Sequence, residues 1–269
     1  MKTHTIALAN ILFAIISLAA PRGHGLEARL AARAARSHLT RPLAPVIRTS
    51  GQSNIQYSSN WAGGVLTSPP SGQRFTTVSA QFTVPVPSSP NGGSAAAAAW
   101  VGIDGDTYTN AILQTGVDFN VNSDGSVSYD AWYEWYPNYA IDFSGISISA
   151  GDNISVSVIA ISSTRGAATV RNLSNGQSVS TTISAPSPSS STSLSGQNAE
   201  WIVEDFDVNG SLVPFANFGS ILFTNAIAQT SSSLLGTSGA TVFEIVQNNQ
   251  VLTLVSFPSS SQVQVTYNQ

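Results

Sequence analysis

Over most of this chain, apolar residues alternate with polar ones at a spacing of two, in short runs separated by turn residues. Gln81-Phe-Thr-Val-Pro-Val, Ile112-Leu-Gln-Thr-Gly-Val-Asp-Phe and Val127-Ser-Tyr-Asp-Ala-Trp-Tyr-Glu-Trp read as strands. So do Ile154-Ser-Val-Ser-Val-Ile-Ala-Ile, Ala199-Glu-Trp-Ile-Val-Glu-Asp-Phe, Ser220-Ile-Leu-Phe-Thr, Thr241-Val-Phe-Glu-Ile-Val and Gln262-Val-Gln-Val-Thr-Tyr. Asn122-Ser-Asp-Gly, Ala150-Gly-Asp-Asn and Asn175-Gly-Gln are turn signals between them. Ala95 to Ala99 has helix propensity, but it runs directly into Trp100-Val-Gly-Ile and reads as the start of a buried strand. After residue 55 no segment sustains a helical period apart from a short piece near Ala226. The run Pro186-Ser-Pro-Ser-Ser-Ser-Thr-Ser reads as an exposed low-complexity loop. Many short strands joined by regular turns predict an antiparallel sandwich or barrel rather than a parallel sheet.

The first fifty residues break this pattern. Lys2, an apolar run from Ile6 to Leu18 and the small residues Ser17-Leu-Ala-Ala predict a signal peptide over 1–20, and hence a secreted protein. The apolar run is too short to span a bilayer, and no later segment offers a span. Residues 21–54 predict a basic propeptide, in which helix formers and arginines at helical spacing (Leu26 to Arg36) precede Pro42 and Pro45 as breakers. Residues 55–269 then form a single β domain.

Charge sharpens that division. Lys2 and six of the nine arginines lie before residue 51, with Glu27 as the one acid there. From residue 51 onward thirteen acids face only Arg74, Arg165 and Arg171, and there is no histidine, cysteine or lysine. A domain so acidic does not neutralise phosphates, which excludes nucleic acid as a partner. It suits acid, where carboxylates lose charge and few bases add repulsion. About 215 residues suffice to bury a core without disulfides. Asn153-Ile-Ser, Asn172-Leu-Ser and Asn209-Gly-Ser are glycosylation sequons.

Elimination then narrows the chemistry. Without histidine there is no Ser-His-Asp triad or histidine-based zinc site, without cysteine no thiolate, and without lysine no Schiff base. Two carboxylates, or a carboxylate with an amide, remain. Asp104-Gly-Asp-Thr lacks the ligand spacing of a calcium loop, so no metal is expected. Strand parity places Asp130, Trp132, Glu134 and Tyr136 on one face, Glu200, Ile202, Glu204 and Phe206 on another, and Ile112, Gln114, Gly116 and Asp118 on a third. Faces mixing acids, amides and aromatics fit a groove for an extended polymer. From parity alone three readings stand: a peptidase, a glycoside hydrolase using Glu134 and Glu204, or a carbohydrate-binding sandwich with Trp132 and Tyr136 as stacking platforms.

Five segments carry a resemblance: Ser58-Ser-Asn-Trp-Ala-Gly-Gly, Ala99-Trp-Val-Gly-Ile-Asp-Gly-Asp-Thr, Ala111-Ile-Leu-Gln-Thr-Gly, Tyr129-Asp-Ala-Trp-Tyr-Glu-Trp-Tyr-Pro and Asn198-Ala-Glu-Trp-Ile-Val-Glu-Asp-Phe. In this order the chain resembles the glutamic peptidases, or eqolisins, the scytalidoglutamic and aspergilloglutamic group. The resemblance implies an all-β fold, an antiparallel β-sandwich of two large sheets (concanavalin-like or lectin-like) with a cleft on one curved sheet. It implies a secreted acid endopeptidase, made as a zymogen, insensitive to pepstatin, monomeric and without cofactor, acting on unfolded or extended polypeptides and held by its own propeptide. Gln114 and Glu204 fall on the catalytic dyad. Parity could not choose between Glu204 and Glu200, and the resemblance makes that choice. Trp100, Asp104, Asp130, Trp132, Glu134 and Tyr136 resemble residues that bind substrate or support the cleft. Tyr108 and Ser195 stand where relatives often carry cysteines, so the disulfide of those relatives is not expected.

Overall fold

A computed structural model describes residues 40–46, 55–186, 190–208 and 210–268. The expected signal peptide, the arginine-rich stretch up to Arg36, Asn209 and Pro188 lie outside the described residues.

Two large sheets make up the fold. The first runs, edge to edge, through Pro45–Val46, Ile55–Ser58, Thr241–Gln247, Trp61–Leu66, Ala199–Glu204, Ala95–Ile103, Ile112–Val121, Val127–Tyr136 and Ile141–Asp142. The second runs through Ser178–Ser184, Arg165–Asn172, Asn153–Ser162, Thr77–Thr83, Ser220–Gln229, Val263–Tyr267 and Thr253–Ser256. All strand pairings are antiparallel among the described residues except that of Ile55–Ser58 with Thr241–Gln247, which is parallel. The expected antiparallel sandwich is therefore present. Among the described residues the helical content is one 3-10 turn, Ser190–Thr192, and no helix is long and apolar enough to cross a membrane.

Alternation explains the second sheet directly. Val78, Ala80 and Phe82, Ile154, Val156 and Val158, and Ala168 and Val170 point inward, each separated by a polar or exposed neighbour. They meet Leu113, Val117 and Phe119, and Trp201 and Val203, from the first sheet. The Phe82 ring packs edge-on against Phe119 and Phe223, with centroids 6.3 and 5.6 Å apart. Burying a large apolar side chain of this kind contributes roughly 1.5–3 kcal/mol, which makes this two-sheet interior the main source of stability.

The centre of the first sheet is buried on both faces, so its central strands lose the alternation. Trp61–Leu66, Ala95–Ile103 and Ala199–Glu204 are buried at every position. Ala97, Ala99, Val101 and Ile103 face the interior, while Ala98, Trp100 and Ile202 join a second apolar cluster with Trp61, Ile112, Trp132 and Phe243 on the opposite face. Small residues let this strand be covered on both sides, and the alanine run is a strand, as read.

Near Ala226 the structure departs from the sequence reading. The whole of Ser220–Gln229 is a strand, with a register shift between Thr224 and Ile227 and Asn225 at φ 50°. Inward positions change from Ile221 and Phe223 to Ala226 and Ala228 across this bulge. The resulting i, i+3 step mimics helical spacing. The Gln81–Val86 reading also shifts, because the strand spans Thr77–Thr83 and stops before Pro85.

Candidate active site

The outer face of the first sheet carries the residues that parity selected. Antiparallel register aligns Glu200, Gly102, Gln114 and Glu134 in one row across four strands. Glu204, Ala98, Asp118 and Asp130 form another row further along. Between them lies the row of Ile202, Trp100, Gly116 and Trp132. Two glycines leave room for the large groups. A Cβ on Gly116 would stand 2.3 Å from the Ala99 carbonyl oxygen, and one on Gly102 would stand 2.8 Å from Glu200 Oε1.

Glu204 is fully buried and held by two donors. Trp100 Nε1 donates to its Oε2 at 2.9 Å, and Asn60 Nδ2 donates to its Oε1 at 3.3 Å. The Trp100 ring is itself braced edge-on by Trp61, with centroids 5.0 Å apart. Gln114 is also fully buried, and its Nε2 donates to the backbone carbonyl of Thr40 at 3.4 Å. Thr40 N donates to Glu134 Oε2 at 3.3 Å.

Residues 40–46 thus thread the cleft, with a bend at Pro42. Asn60 Nδ2 donates to the carbonyls of Arg41 (3.3 Å) and Pro42 (3.5 Å), and its Oδ1 accepts from Ala44 N at 3.0 Å. Leu43 N donates to the Gly105 carbonyl at 3.0 Å, and the Arg41 guanidinium lies 3.6 Å from Asp207. Pro45–Val46 then pairs with Ile55–Ser58 at the sheet edge. A cavity of about 220 Å³ remains beside this chain, walled by Arg41, Pro42, Asn60, Glu204, Asp205 and Asp207.

The electrostatics follow from burial. Glu134, Glu200 and Glu204 are all held well above the usual carboxylate range, chiefly because they are out of water. For Glu204 the charge of Glu134 adds to this, and the bonds from Trp100 and Asn60 oppose it. Asp205 is pushed up to about 7 by burial, against a 2.7 Å hydrogen bond from Gln247 Nε2. With residues 40–46 in the cleft these groups favour the neutral form, so the covered site packs in acid without several negative charges together.

The nominated residues divide in their placement. Trp100, Gln114, Glu134 and Glu204 come together around residues 40–42. Trp132 is fully buried in the apolar cluster of the same face, with half-buried Tyr136 packed against that cluster. Trp132 therefore offers no open platform for a sugar ring. Asp130 sits exposed towards the start of its strand and accepts from Asn120 Nδ2. Asp104 (φ 69°) accepts from the backbone N–H groups of Ser195, Gly196, Gln197 and Asn198 and so fixes that loop. Glu200 stays buried on the same face, and neither of its oxygens has a hydrogen-bond partner among the described residues. Sequence reasoning missed Asn60, Asp205, Asp207 and the cleft position of Thr40 and Arg41. Asn60 lay in the Ser-Ser-Asn-Trp motif, but nothing in its spacing distinguished it.

The family model of the peptidase A4 family matches residues 59–267. Aspergillopepsin-2 of Aspergillus niger is 48% identical over 99% of this chain and 100% of its own length. Scytalidopepsin B of Scytalidium lignicola is 44% identical over 94% and 95% respectively. Among solved structures, scytalido-glutamic peptidase with a transition state analog inhibitor is 45% identical, with TM-score 0.68 over 78% of this chain and 98% of that one. The aspergilloglutamic peptidase of Aspergillus niger is 56% identical, with TM-score 0.60 over 65% and 99%. With its two sheets and these relatives in agreement, the chain belongs to the peptidase A4 family, the glutamic peptidases.

Proposed function

We propose that this protein is a secreted acid endopeptidase whose dyad is Gln114 and Glu204, and that its leader keeps it latent as a zymogen. The observation that carries the reading is the meeting of a peptide carbonyl, that of Thr40, with the Gln114 amide in the cleft that also holds Glu204. Glu204 is preferred to Glu200 because two donors hold it and it walls the cavity beside the peptide, whereas Glu200 has no hydrogen-bond partner among the described residues.

In this mechanism the Glu204 carboxylate takes a proton from water, and the resulting hydroxide adds to the carbonyl carbon of the scissile bond. The Gln114 N–H donates to the developing oxyanion. Glu204 then returns its proton to the leaving nitrogen as the C–N bond breaks, giving an acid and an amine. The Trp100 and Asn60 hydrogen bonds favour the ionised base. Burial favours the neutral form, and residues 40–46 occupy the cleft, so the leader-covered site is silent sterically.

Latency also follows the charge division. The leader carries most of the basic residues and the domain most of the acids, and Arg41 against Asp207 is one such contact. Protonation of the carboxylates weakens that attraction and releases the leader. Equal activity of full-length and trimmed protein at pH 3 and pH 7 would contradict this release.

The deciding assay is hydrolysis of an unfolded protein at about pH 3, where carboxylates titrate. Cleavage is expected to persist with pepstatin and to disappear in Gln114→Ala and Glu204→Gln. Retained proteolysis in either variant overturns the dyad.

A further inference from the structure

The cleft holds a second amide with as many contacts to the threaded chain as any group in it. Asn60 is 3% exposed, and its orientation is fixed from behind, since Ser58 Oγ donates to Oδ1 at 2.8 Å. With Oδ1 turned to Ser58 and Ala44 N, Nδ2 necessarily faces the Arg41 and Pro42 carbonyls and Glu204 Oε1. All three contacts with the chain are to main-chain atoms. They therefore read no side chain, and any peptide main chain following this path offers the same groups. They also lie on one side of the Gln114 contact, engaging the three residues at one, two and four positions after Thr40.

We propose that Asn60 is the clamp for the substrate main chain on the C-terminal side of the scissile bond, and that it orients Glu204 through the same amide. This rests on the reading that the chain threaded past Gln114 follows the substrate's path. In that register Thr40 contributes the carbonyl to be attacked, and Arg41 to Ala44 mark the leaving segment. One amide thus ties the position of the base to the presence of a correctly seated leaving strand. A peptide that ends just after the scissile bond cannot fill the clamp.

The test varies substrate length and Asn60 together, using full-length protein activated in acid. Two peptides share the residues before the scissile bond, one continuing four residues beyond it and the other ending in an anilide leaving group with no residue beyond it. For the long peptide, Asn60→Ala is expected to raise KM about tenfold, the factor that corresponds to one lost hydrogen bond of about 1.4 kcal/mol. For the short peptide the variant and the parent should differ little in KM. The acidic limb of kcat/KM should also move to higher pH, because Glu204, faced by Glu134, Asp205 and Asp207 with Arg41 gone, loses a donor to its ionised form. Asn60→Asp is the second variant, nearly isosteric. Its protonated acid can donate one hydrogen bond in acid, so long-peptide KM should be partly restored near pH 3 and worsen as the pH rises. Equal KM penalties on both peptides, or an unmoved acidic limb, would overturn the clamp. Failure of the dyad itself is read separately, as activity retained by Gln114→Ala or Glu204→Gln in the same assay.

Discussion

Asp205 provides a direct measure of how burial ties this fold to acid. It is 1% exposed, accepts one hydrogen bond from Gln247, and has its second oxygen buried without a hydrogen-bond partner. Burial raises its pKa from 3.8 to about 7. The folded state therefore binds this proton more tightly than the unfolded chain. The resulting stability is complete below about pH 4 and is lost as pH rises through about 7. Over that window the loss amounts to about 4 kcal/mol, at 1.36 kcal/mol per pH unit. Typical domains have about 5–15 kcal/mol in all, so this one carboxyl consumes a large share at neutral pH. Asp205→Asn keeps the shape and the acceptor for Gln247 but has no proton to lose. Urea unfolding of both proteins from pH 3 to pH 8 should give nearly equal stability at pH 3, with the variant ahead by about 4 kcal/mol at pH 8. Glu134, Glu200 and Glu204 shift in the same direction, so the difference between the two proteins is the quantity to read. Parallel pH profiles would refute the argument.

Other perturbations test other layers. Asp104→Ala strips acceptors from four backbone N–H groups of the 195–198 loop and should cost about 3–5 kcal/mol in urea unfolding at pH 4, well beyond an ordinary surface change. Arg41→Glu replaces the contact with Asp207 by repulsion, so full-length protein brought to pH 5 should become active sooner than the parent in a time-resolved peptide assay. In a host that glycosylates secreted proteins, peptide mapping should find glycan on exposed Asn153 and none on Asn172. The Asn172 side chain is buried and donates to the Ser147 carbonyl and to Asp152.

The sequence made the strands legible wherever only one face is buried. Along Asn153–Ser162 and Val263–Tyr267 inward and outward residues alternate as read. Legibility failed where a second layer intervened. Ala95–Ile103 is covered on both faces and shows no alternation, and the Thr224–Ile227 bulge reverses parity inside one strand. The site shows the same limit. Parity set Gln114, Glu134, Glu200 and Glu204 apart, and Asp130 with them, but it carries no information on how each position is covered across the sheet. Asp130, in register with Glu204 but three strands away, is exposed and bonded to Asn120, and Asp104 turned inward to a loop. Asn60 was beyond reach because its partners, Glu204 and residues 41–44, are distant in sequence and meet it only in the folded chain.

On the proposed zymogen reading, the segment threaded through the cleft has one more consequence, for anyone who wishes to tune this enzyme. It grips the cleft through main-chain hydrogen bonds, which on that reading are the contacts a substrate would use there. Being covalently attached, it would compete at an effective concentration on the order of millimolar. A substitution that tightens generic peptide binding therefore strengthens the competitor along with the substrate, and lengthens the lag before activity appears. Faster enzymes of this design must gain affinity from side-chain pockets that the leader leaves unfilled, or must cut the tether sooner.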